Sequence, residues 1–201
     1  MALPMVHLMV AERWARERPE YARSADFYLG AISPDAIHIR DHGDKSHKNY
    51  VHLNNWTELH PDEVLAYWRE RGAPFDIGYG IHVLTDALWV RERMQRLPQL
   101  MLPGGGLNTE LYYRDTFLTD FALYREDGGR LCRQMEAGNA PEGHPMLTKD
   151  EFTQWQREVA AAYRGECPKT GTAELIDCAY ARRFVEDCQD ELNQIYGRLK
   201  R

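Results

Sequence analysis

Histidine and aspartate crowd into one short stretch of this chain. The segment FYLGAISPDAIHIRDHGDKSHKNYVHL, Phe27 to Leu53, holds four of the eight histidines and three aspartates. Glycine and proline interrupt the segment, so it is not one regular element. A solvated loop needs charge but has no use for so many imidazoles. Imidazole nitrogen and carboxylate oxygen together are a common set of metal ligands.

A second His–Asp pair lies in the segment IGYGIHVLTDALWV, Ile77 to Val90. Apolar side chains cover nearly every side of the helix that this segment predicts, which indicates a buried helix. His82 and Asp86 are four residues apart and therefore share a face. A buried imidazole and carboxylate must be paired, hydrogen-bonded or metal-bound, because an unsatisfied buried charge is costly. The spacing suits two metal ligands, and a structural His–Asp pair is the alternative.

His7 is likewise an imidazole in an apolar segment, ALPMVHLMVA, where every other residue is apolar. A single histidine on an apolar face can be a core residue with its hydrogen bonds satisfied. Two such histidines in separate buried helices have a common explanation in a shared metal centre.

The sequence therefore predicts a metal site, and the first segment supplies the remaining ligands. Asp35 follows Pro34, where the chain is stiff, and His47 lies further along the segment. Nitrogen and oxygen ligands without thiolate suit zinc, iron or manganese in a catalytic site. Five ligands exceed one tetrahedral zinc, so one or two ions are expected, with Asp86 as the favoured bridge. The predicted ligands are His7, Asp35, His47, His82 and Asp86.

The motifs GAISPD, a histidine after a lysine, and GYGIHVLTD resemble the zinc-dependent phospholipase C family of the phospholipase C/P1 nuclease superfamily. The resemblance covers about residues 1–90 and extends loosely to YYRDTFLTDFALY. It implies an all-helical fold around a metal cluster and metal-dependent hydrolysis of phosphoesters. By motif match, Asp35, His47, His82 and Asp86 would hold one metal, and His7 with Asp86 would contribute to a neighbouring one.

This chain also departs from the pattern of that family. No HxxxE motif follows the HxxxD helix, although the family uses one for a third metal, and His144 is the only later histidine. From its first residues we expect neither the tryptophan ligand nor the signal peptide of the secreted enzymes. We therefore expect a short cytoplasmic relative with one or two metals. A non-catalytic helical protein, with a structural metal or a buried His/Asp network, is the alternative.

The candidate residues for substrate binding and catalysis lie in the same segment, Phe27 to Leu53. Asp35 is the candidate to orient or deprotonate an attacking water, in addition to its ligand role. His38 is a candidate to contact a substrate phosphate, to hold a metal ligand in place by hydrogen bonding, or to be a further ligand itself. Lys45 and Lys48 flank His47 and could contact a substrate phosphate, with solvated loop charge as the alternative. His52 has the pattern of an ordinary loop residue, and Asp115 and Asp120 could lend a carboxylate or serve as capping groups.

Helical periodicity extends over nearly the whole chain and predicts an all-α fold class. We expect one domain over residues 1–201. Its architecture would be a multi-helix bundle with the metal site between helices. Pro4 and Pro61 suit first-turn positions, and Thr148 with Glu151 forms a capping box. We expect long helices over Phe75 to Arg96 and Glu110 to Glu126. Residues 132–147 are expected to be irregular, and residues 172–199 to form one long amphipathic helix.

Composition limits the function classes. The net charge of −6 argues against a nucleic-acid backbone as a stable partner. A small-molecule phosphoester is compatible with it, because a bound cation supplies positive charge locally. No apolar run is long enough to predict a membrane span. The four cysteines form no zinc motif and indicate reduced thiols in the cytoplasm, with one disulfide in an exported protein as the alternative. The amphipathic C-terminal helix could close the bundle or form a homodimer interface.

Overall fold

The computed structural model describes residues 2–41 and 47–200. Over those two ranges it contains α-helices, short 3-10 helices and no strand, so the predicted all-α class is confirmed. The 3-10 helices lie at Ser33–Ala36, Pro98–Leu100 and Arg198–Lys200. The α-helices are α1 (Pro4–Ala15), α2 (Pro19–Ala22), α3 (Ala25–Gly30), α4 (Ile37–Asp41), α5 (Lys48–Val51), α6 (Pro61–Glu70), α7 (Pro74–Arg96), α8 (Thr109–Glu126), α9 (Arg130–Glu136), α10 (Lys149–Arg164), α11 (Cys178–Asp187) and α12 (Gln189–Gly197).

Local capping signals set several helix starts. The Oγ of Ser24 accepts a hydrogen bond from the N–H of Phe27 at 3.4 Å and begins α3. Thr148 and Glu151 form the predicted capping box before α10. Each cap satisfies backbone N–H groups that the first helical turn leaves without an intrahelical partner.

Two expectations for the second half of the chain are wrong in part: residues 137–147 are irregular as expected, but residues 132–136 are not, and residues 172–199 do not form one helix. Residues 130–136 are helical as α9, because Leu131, Cys132 and Met135 bury one side of it in the core. The expected long C-terminal helix begins only at Cys178 and is divided at Cys188 into α11 and α12. The segment before it is held out of a helix by Asp115, as described below.

Helices α3 and α7 are in backbone contact at two glycines. A Cβ atom on Gly30 would lie 2.1 Å from the carbonyl oxygen of Phe75, and one on Gly78 would lie 2.0 Å from that of Phe27. Any side chain at either position would push the helices apart, because real Cβ contacts are never this short. The absence of a Cβ therefore brings the end of α3 against the face of α7 that carries His82.

Helix α7 is the centre of the fold. Every residue from Phe75 to Val90 is buried, as the all-round apolar pattern predicts. Buried apolar side chains from the first helix to the last pack into one core with it. That the chain is one domain stays a prediction, drawn from its length. None of the helices in the described ranges is both long and apolar enough to cross a membrane.

Candidate metal centre

Four side chains from three parts of the fold converge inside the protein. Asp35 comes from the 3-10 helix Ser33–Ala36, His52 directly follows α5, and His82 and Asp86 face the same way on α7. One ligand atom from each of the four lies within 4.8 Å of the others, and all four residues are buried. This group of Asp35, His52, His82 and Asp86 is called the tetrad below, and it could hold a metal ion.

The spacing within the tetrad is longer than that of good hydrogen bonds. Nε2 of His52 lies 3.5 Å from Oδ1 of Asp35 and 3.4 Å from Oδ2 of Asp86. Nε2 of His82 lies 3.9 Å from Oδ2 of Asp35 and 3.7 Å from Oδ2 of Asp86. Among the described residues, both Nε2 atoms and Oδ2 of Asp86 are buried without a hydrogen-bond partner. Native proteins rarely leave buried polar atoms in this condition.

The two distances from Nε2 of His52 are close to those between ligands around an ion, and the two from Nε2 of His82 are longer. Zinc–nitrogen and zinc–oxygen bonds of about 2.0–2.2 Å at tetrahedral angles place neighbouring ligand atoms about 3.3–3.5 Å apart. The four donor atoms, which lie within 4.8 Å of one another, would have to move closer together to reach that geometry. Two imidazoles and two carboxylates also suit iron or manganese. The donor set therefore fits a metal, and its spacing does not identify which one.

Both histidines of the tetrad are oriented by the backbone. The Nδ1–H of His82 donates to the carbonyl of Ala31 at 2.8 Å, across the contact between α3 and α7. The Nδ1–H of His52 donates to the carbonyl of Lys48 at 2.9 Å. A proton held on Nδ1 leaves the lone pair of Nε2 directed at the tetrad, which is the usual arrangement for histidine ligands.

Charge within the tetrad is distributed unequally. Burial alone would raise the pKa of Asp35, but Lys48 and His52 outweigh burial and hold it well below its ordinary value. Burial would likewise raise the pKa of Asp86, and the neighbouring His52 and His7 hold it well below normal. Both carboxylates are therefore ionised at neutral pH. Burial, followed by the neighbouring His7, places the pKa of His82 well below its ordinary value, so this imidazole stays neutral and able to ligate.

His52 behaves differently from His82 because it lies between the two carboxylates. Burial lowers the pKa of His52, but the proximity of Asp35 and Asp86 outweighs burial and raises it. The two carboxylates therefore favour a proton on Nε2 of His52 when no metal is bound. A metal and that proton would compete for the same position.

His7 lies beside the tetrad on Asp86. Its ring stacks on the ring of His82, with centroids 3.8 Å apart. Its Nε2 lies 3.3 Å from Oδ1 of Asp86, and the backbone N–H of Ala2 donates to the same oxygen at 3.0 Å. The two oxygens of Asp86 thus face different partners, His7 on one side and the tetrad on the other. This arrangement is compatible with the predicted bridging role of Asp86.

Lys48 and His38 lie on the other side, against Asp35. The buried ammonium of Lys48 donates to Oδ1 of Asp35 at 2.7 Å and to Nε2 of His38 at 3.3 Å. Nε2 of His38 is 3.8 Å from Oδ1 of Asp35, and its side chain is 27% exposed. Lys48 is therefore not a solvated loop charge, and His38 lies between the tetrad and the surface. Burial, as the largest cause, lowers the pKa of His38.

The structure does not bring His47 to the tetrad. Its side chain is 60% exposed, and its Nδ1 lies 3.1 Å from Oδ2 of Asp41. His52, whose sequence pattern is that of an ordinary loop residue, occupies the place expected for His47. The available signal was its setting, since His52 stands between Val51 and Leu53, whereas His47 stands between Ser46 and Lys48. The predicted substrate contact Lys45 lies outside the described residues.

Asp115 and Asp120 lie away from the tetrad and bind the backbone. Oδ2 of Asp115 accepts from the N–H groups of Glu174, Leu175 and Ile176 at 3.0, 2.7 and 3.3 Å. Oδ1 of Asp120 accepts from the N–H of Met5 at 3.0 Å, in the first turn of α1. Both carboxylates have the capping role that the sequence analysis gave as an alternative.

Comparison of this chain with protein-family models, with curated proteins and with solved structures finds no match. The resemblance to the zinc-dependent phospholipase C family stays a prediction. Asp35, from GAISPD, meets His82 and Asp86, from GYGIHVLTD, within the tetrad. Two of the three motifs that carry the resemblance thus converge in space, whereas the third, at His47, does not.

Proposed function

We propose that this protein is a metal-dependent hydrolase of phosphoesters, with its metal held by Asp35, His52, His82 and Asp86. The supporting observation is the tetrad itself, whose buried donor atoms lie within 4.8 Å of one another, with Nε2 of both histidines and Oδ2 of Asp86 lacking a hydrogen-bond partner among the described residues. Zinc is the favoured ion, with iron or manganese as alternatives. When bound, the metal would supply Lewis-acid activation of water and of a phosphoryl oxygen.

Side chains of the protein would orient the attacking water, contact the substrate and hold the metal ligands in place. Asp35 is bonded to Lys48 at 2.7 Å and lies on the side of the tetrad that faces partly exposed His38. Asp35 would accept a hydrogen bond from the attacking water and orient it. His38 would contact the substrate phosphate from the surface side. His7 would hold Asp86 in place, or contribute with it to a second metal.

We also propose a substrate class, a location in the cell and an oligomeric state for this protein. A small-molecule phosphoester is the expected substrate, since a charge of −6 does not favour a nucleic-acid backbone. Four free cysteines accord with a cytoplasmic location. A homodimer is compatible with the amphipathic helices at the C-terminus.

A structural metal is the second candidate, and burial favours it. Every member of the tetrad is buried, with 4% exposure at Asp35 as the largest value. A structural site has a closed ligand shell, whereas a catalytic site keeps a position for water or substrate. Under this alternative the metal fixes α7 to the segment around Asp35 and His52, and no phosphoester is hydrolysed.

Metal content tests the site directly. We expect about one equivalent of a transition metal in the purified protein by plasma mass spectrometry, or two if His7 helps to hold a second ion. The metal should be lost in His82→Ala and His52→Ala and retained in His47→Ala, the matched control outside the tetrad. No metal in the wild type, even after reconstitution with zinc, iron or manganese, would exclude both the hydrolase and the structural-metal hypothesis.

Turnover then separates the two hypotheses. A screen of the metal-loaded protein with para-nitrophenyl phosphate and bis-para-nitrophenyl phosphate should detect hydrolysis that Asp35→Asn abolishes. Retained metal with no turnover of any phosphoester would favour the structural role. The His47→Ala variant serves again as the control, because its side chain is exposed and outside the tetrad.

A further inference from the structure

A cavity of about 260 Å³ lies between the start of α1, helix α8 and helix α10, and no residue of the tetrad lines it. Its walls are mostly apolar and include four aromatic side chains, Phe117, Phe121, Trp155 and Tyr163. The indole N–H of Trp155 donates to the carbonyl of Ile32 at 2.9 Å, which holds that ring in place. A concave, largely apolar cavity with a few polar groups is the usual form of a small-molecule site.

Asp120 lines this cavity and is a buried carboxylate without a cationic partner. It is 2% exposed, its Oδ1 accepts from the N–H of Met5 at 3.0 Å, and its Oδ2 accepts from the hydroxyl of Tyr163. Both of these donors are uncharged. Aspartate is almost never fully buried unless it is paired. Burial raises the pKa of Asp120 to about 7, so above that pH a negative charge lies beside the cavity.

Glu158 adds a second carboxylate on the exposed side of the cavity. It lines the cavity from α10, and its Oε1 accepts from the side-chain amide of Gln154 at 2.9 Å. No lysine, arginine or histidine is among the described residues that line the cavity. The cavity is therefore negative on both its buried and its exposed side.

The basic residues of α8 and α10 do not balance these two carboxylates. Arg114, Lys149 and Arg164 are each paired with another carboxylate. Arg125 lines a different cavity. The nearest lining residues of α10 lie one and two positions from Arg157, so Arg157 faces another side of that helix. An occupant with a positive charge would supply what the described residues of these helices do not.

We propose that this cavity binds a small organic ammonium ion, with its charge beside Asp120 and its apolar part against the aromatic side chains. Faces of aromatic rings attract cations within about 6 Å of the ring centroid, and the carboxylates add a direct attraction. A neutral apolar molecule would gain only from burial, and an anion would be repelled. The inference does not depend on the proposed function, because the tetrad takes no part in it.

Three probes that share a phenyl ring separate charge from burial: benzylammonium, neutral benzyl alcohol and benzoate. Their affinities for the full-length protein are measured by titration calorimetry at about pH 8, where an alkyl amine is protonated and Asp120 is ionised. Ala162→Phe places a ring in the cavity from its exposed side, since Ala162 lines the cavity and is exposed. Ala161→Phe is the matched control, because Ala161 is also exposed and does not line the cavity.

Benzylammonium should bind about tenfold or more tightly than benzyl alcohol, and benzoate more weakly than either, because a unit charge a few ångströms away in a protein is worth at least that factor. Asp120→Asn should bind benzylammonium about tenfold more weakly and benzyl alcohol within about twofold of the wild type. Glu158→Gln should bind benzylammonium about threefold more weakly, since solvent screens the exposed charge. Ala162→Phe should abolish binding, and Ala161→Phe should retain it.

Four results would overturn the inference. The first is no binding of benzylammonium by the wild type. The second is equal affinity for benzylammonium and benzyl alcohol, which would show an apolar site without charge selectivity. The third is an equal loss in Ala161→Phe and Ala162→Phe, which would place the binding elsewhere. The fourth is a folded Asp120→Asn with undiminished affinity for benzylammonium. If Asp120→Asn does not fold, Glu158→Gln and the two alanine variants still decide the question.

Discussion

Nε2 of His52 lies 3.4 Å from Oδ2 of Asp86, and neither atom has a hydrogen-bond partner among the described residues. A good N–H···O hydrogen bond would bring these atoms to about 2.9–3.0 Å. Each buried polar atom without a partner costs about 1–3 kcal/mol. A metal between the two atoms would remove both costs, so the relationship predicts that the folded protein is stabilised by a metal.

Metal binding should therefore raise the thermal stability of the wild type. At a free metal concentration about 100 times the Kd, the stabilisation is about 2.7 kcal/mol. For a domain of this size that corresponds to a rise in Tm of about 5–10 °C. Thermal unfolding followed by circular dichroism, with metal and then with a chelator, measures the difference.

Variants show whether that stabilisation comes from the tetrad. His52→Ala should lose the metal-dependent rise in Tm, because Nε2 of His52 is one of the four donors. His47→Ala should retain it. An equal rise in both variants would mean that the stabilising metal binds elsewhere.

The backbone contact between α3 and α7 should be intolerant of any side chain. In Gly78→Ala, the added Cβ would lie 2.0 Å from the carbonyl oxygen of Phe27. We expect a loss of about 3 kcal/mol or more in the free energy of unfolding, at the upper end for overpacking, because backbone atoms cannot rotate away. Urea unfolding measures the loss.

The same substitution should weaken the metal site. Separation of α3 from α7 would move the carbonyl of Ala31 away from Nδ1 of His82, so metal affinity should fall with stability. Gly104→Ala is the control, since no atom lies within 4 Å of its added Cβ. Unchanged stability in Gly78→Ala would contradict the described contact.

Asp120 should make stability depend on pH. Burial, the largest cause, raises the pKa of Asp120 to about 7, although Tyr163 and the first turn of α1 donate to it. The folded protein thus holds this proton more tightly than the unfolded chain, in which an aspartate has a pKa of about 3.9. The contribution of Asp120 to the free energy of unfolding is therefore largest below about pH 4. It falls as the pH rises to about 7 and is constant above that.

Asp120→Asn isolates this contribution from the other carboxylates. Asparagine resembles the protonated acid and does not titrate, so its stability should lack this decline. The difference in free energy of unfolding between the two proteins should change by at most about 4 kcal/mol between pH 4 and pH 7. Chemical denaturation at several pH values measures it. Parallel pH profiles of the two proteins would show that Asp120 is not the titrating group.

Asp115 should be needed to hold the segment before α11. Its Oδ2 accepts three successive backbone N–H groups, from Glu174 to Ile176. Asp115→Ala would leave these donors without that acceptor, and we expect a loss of about 2 kcal/mol or more in the free energy of unfolding. Glu110→Ala, at an exposed position on the same helix, is the control and should change stability by less than about 0.5 kcal/mol. Equal losses in the two variants would contradict the capping role.

The same aspartate explains one error of the sequence-based prediction. Periodicity over residues 172–199 predicts a single helix, and the apolar pattern is indeed helical. The long-range contact with Asp115 holds the backbone of residues 174–176 in another conformation, and Asp177 then caps α11 through the N–H of Tyr180 at 2.7 Å. Local propensity could not include a partner so distant along the chain.

Much of the scaffold follows from local physics. Prolines and capping residues start helices where the sequence predicts them, and α7 is buried because it is apolar on every side. The four-residue spacing of His82 and Asp86 places them on one face of any regular helix. Two of the four residues of the tetrad were therefore determined together by the sequence.

Tertiary structure decided which histidine joins them. The segment from Gly30 to Leu53 has no single period, so spacing alone could not rank His47 against His52. The choice depends on how Lys48 is buried against Asp35 and how α5 presents its C-terminal end to α7. Burial of Nε2 of His52 beside two carboxylates is a property of packed helices, and packing distances between separate elements are not encoded in the order of residues along any one of them.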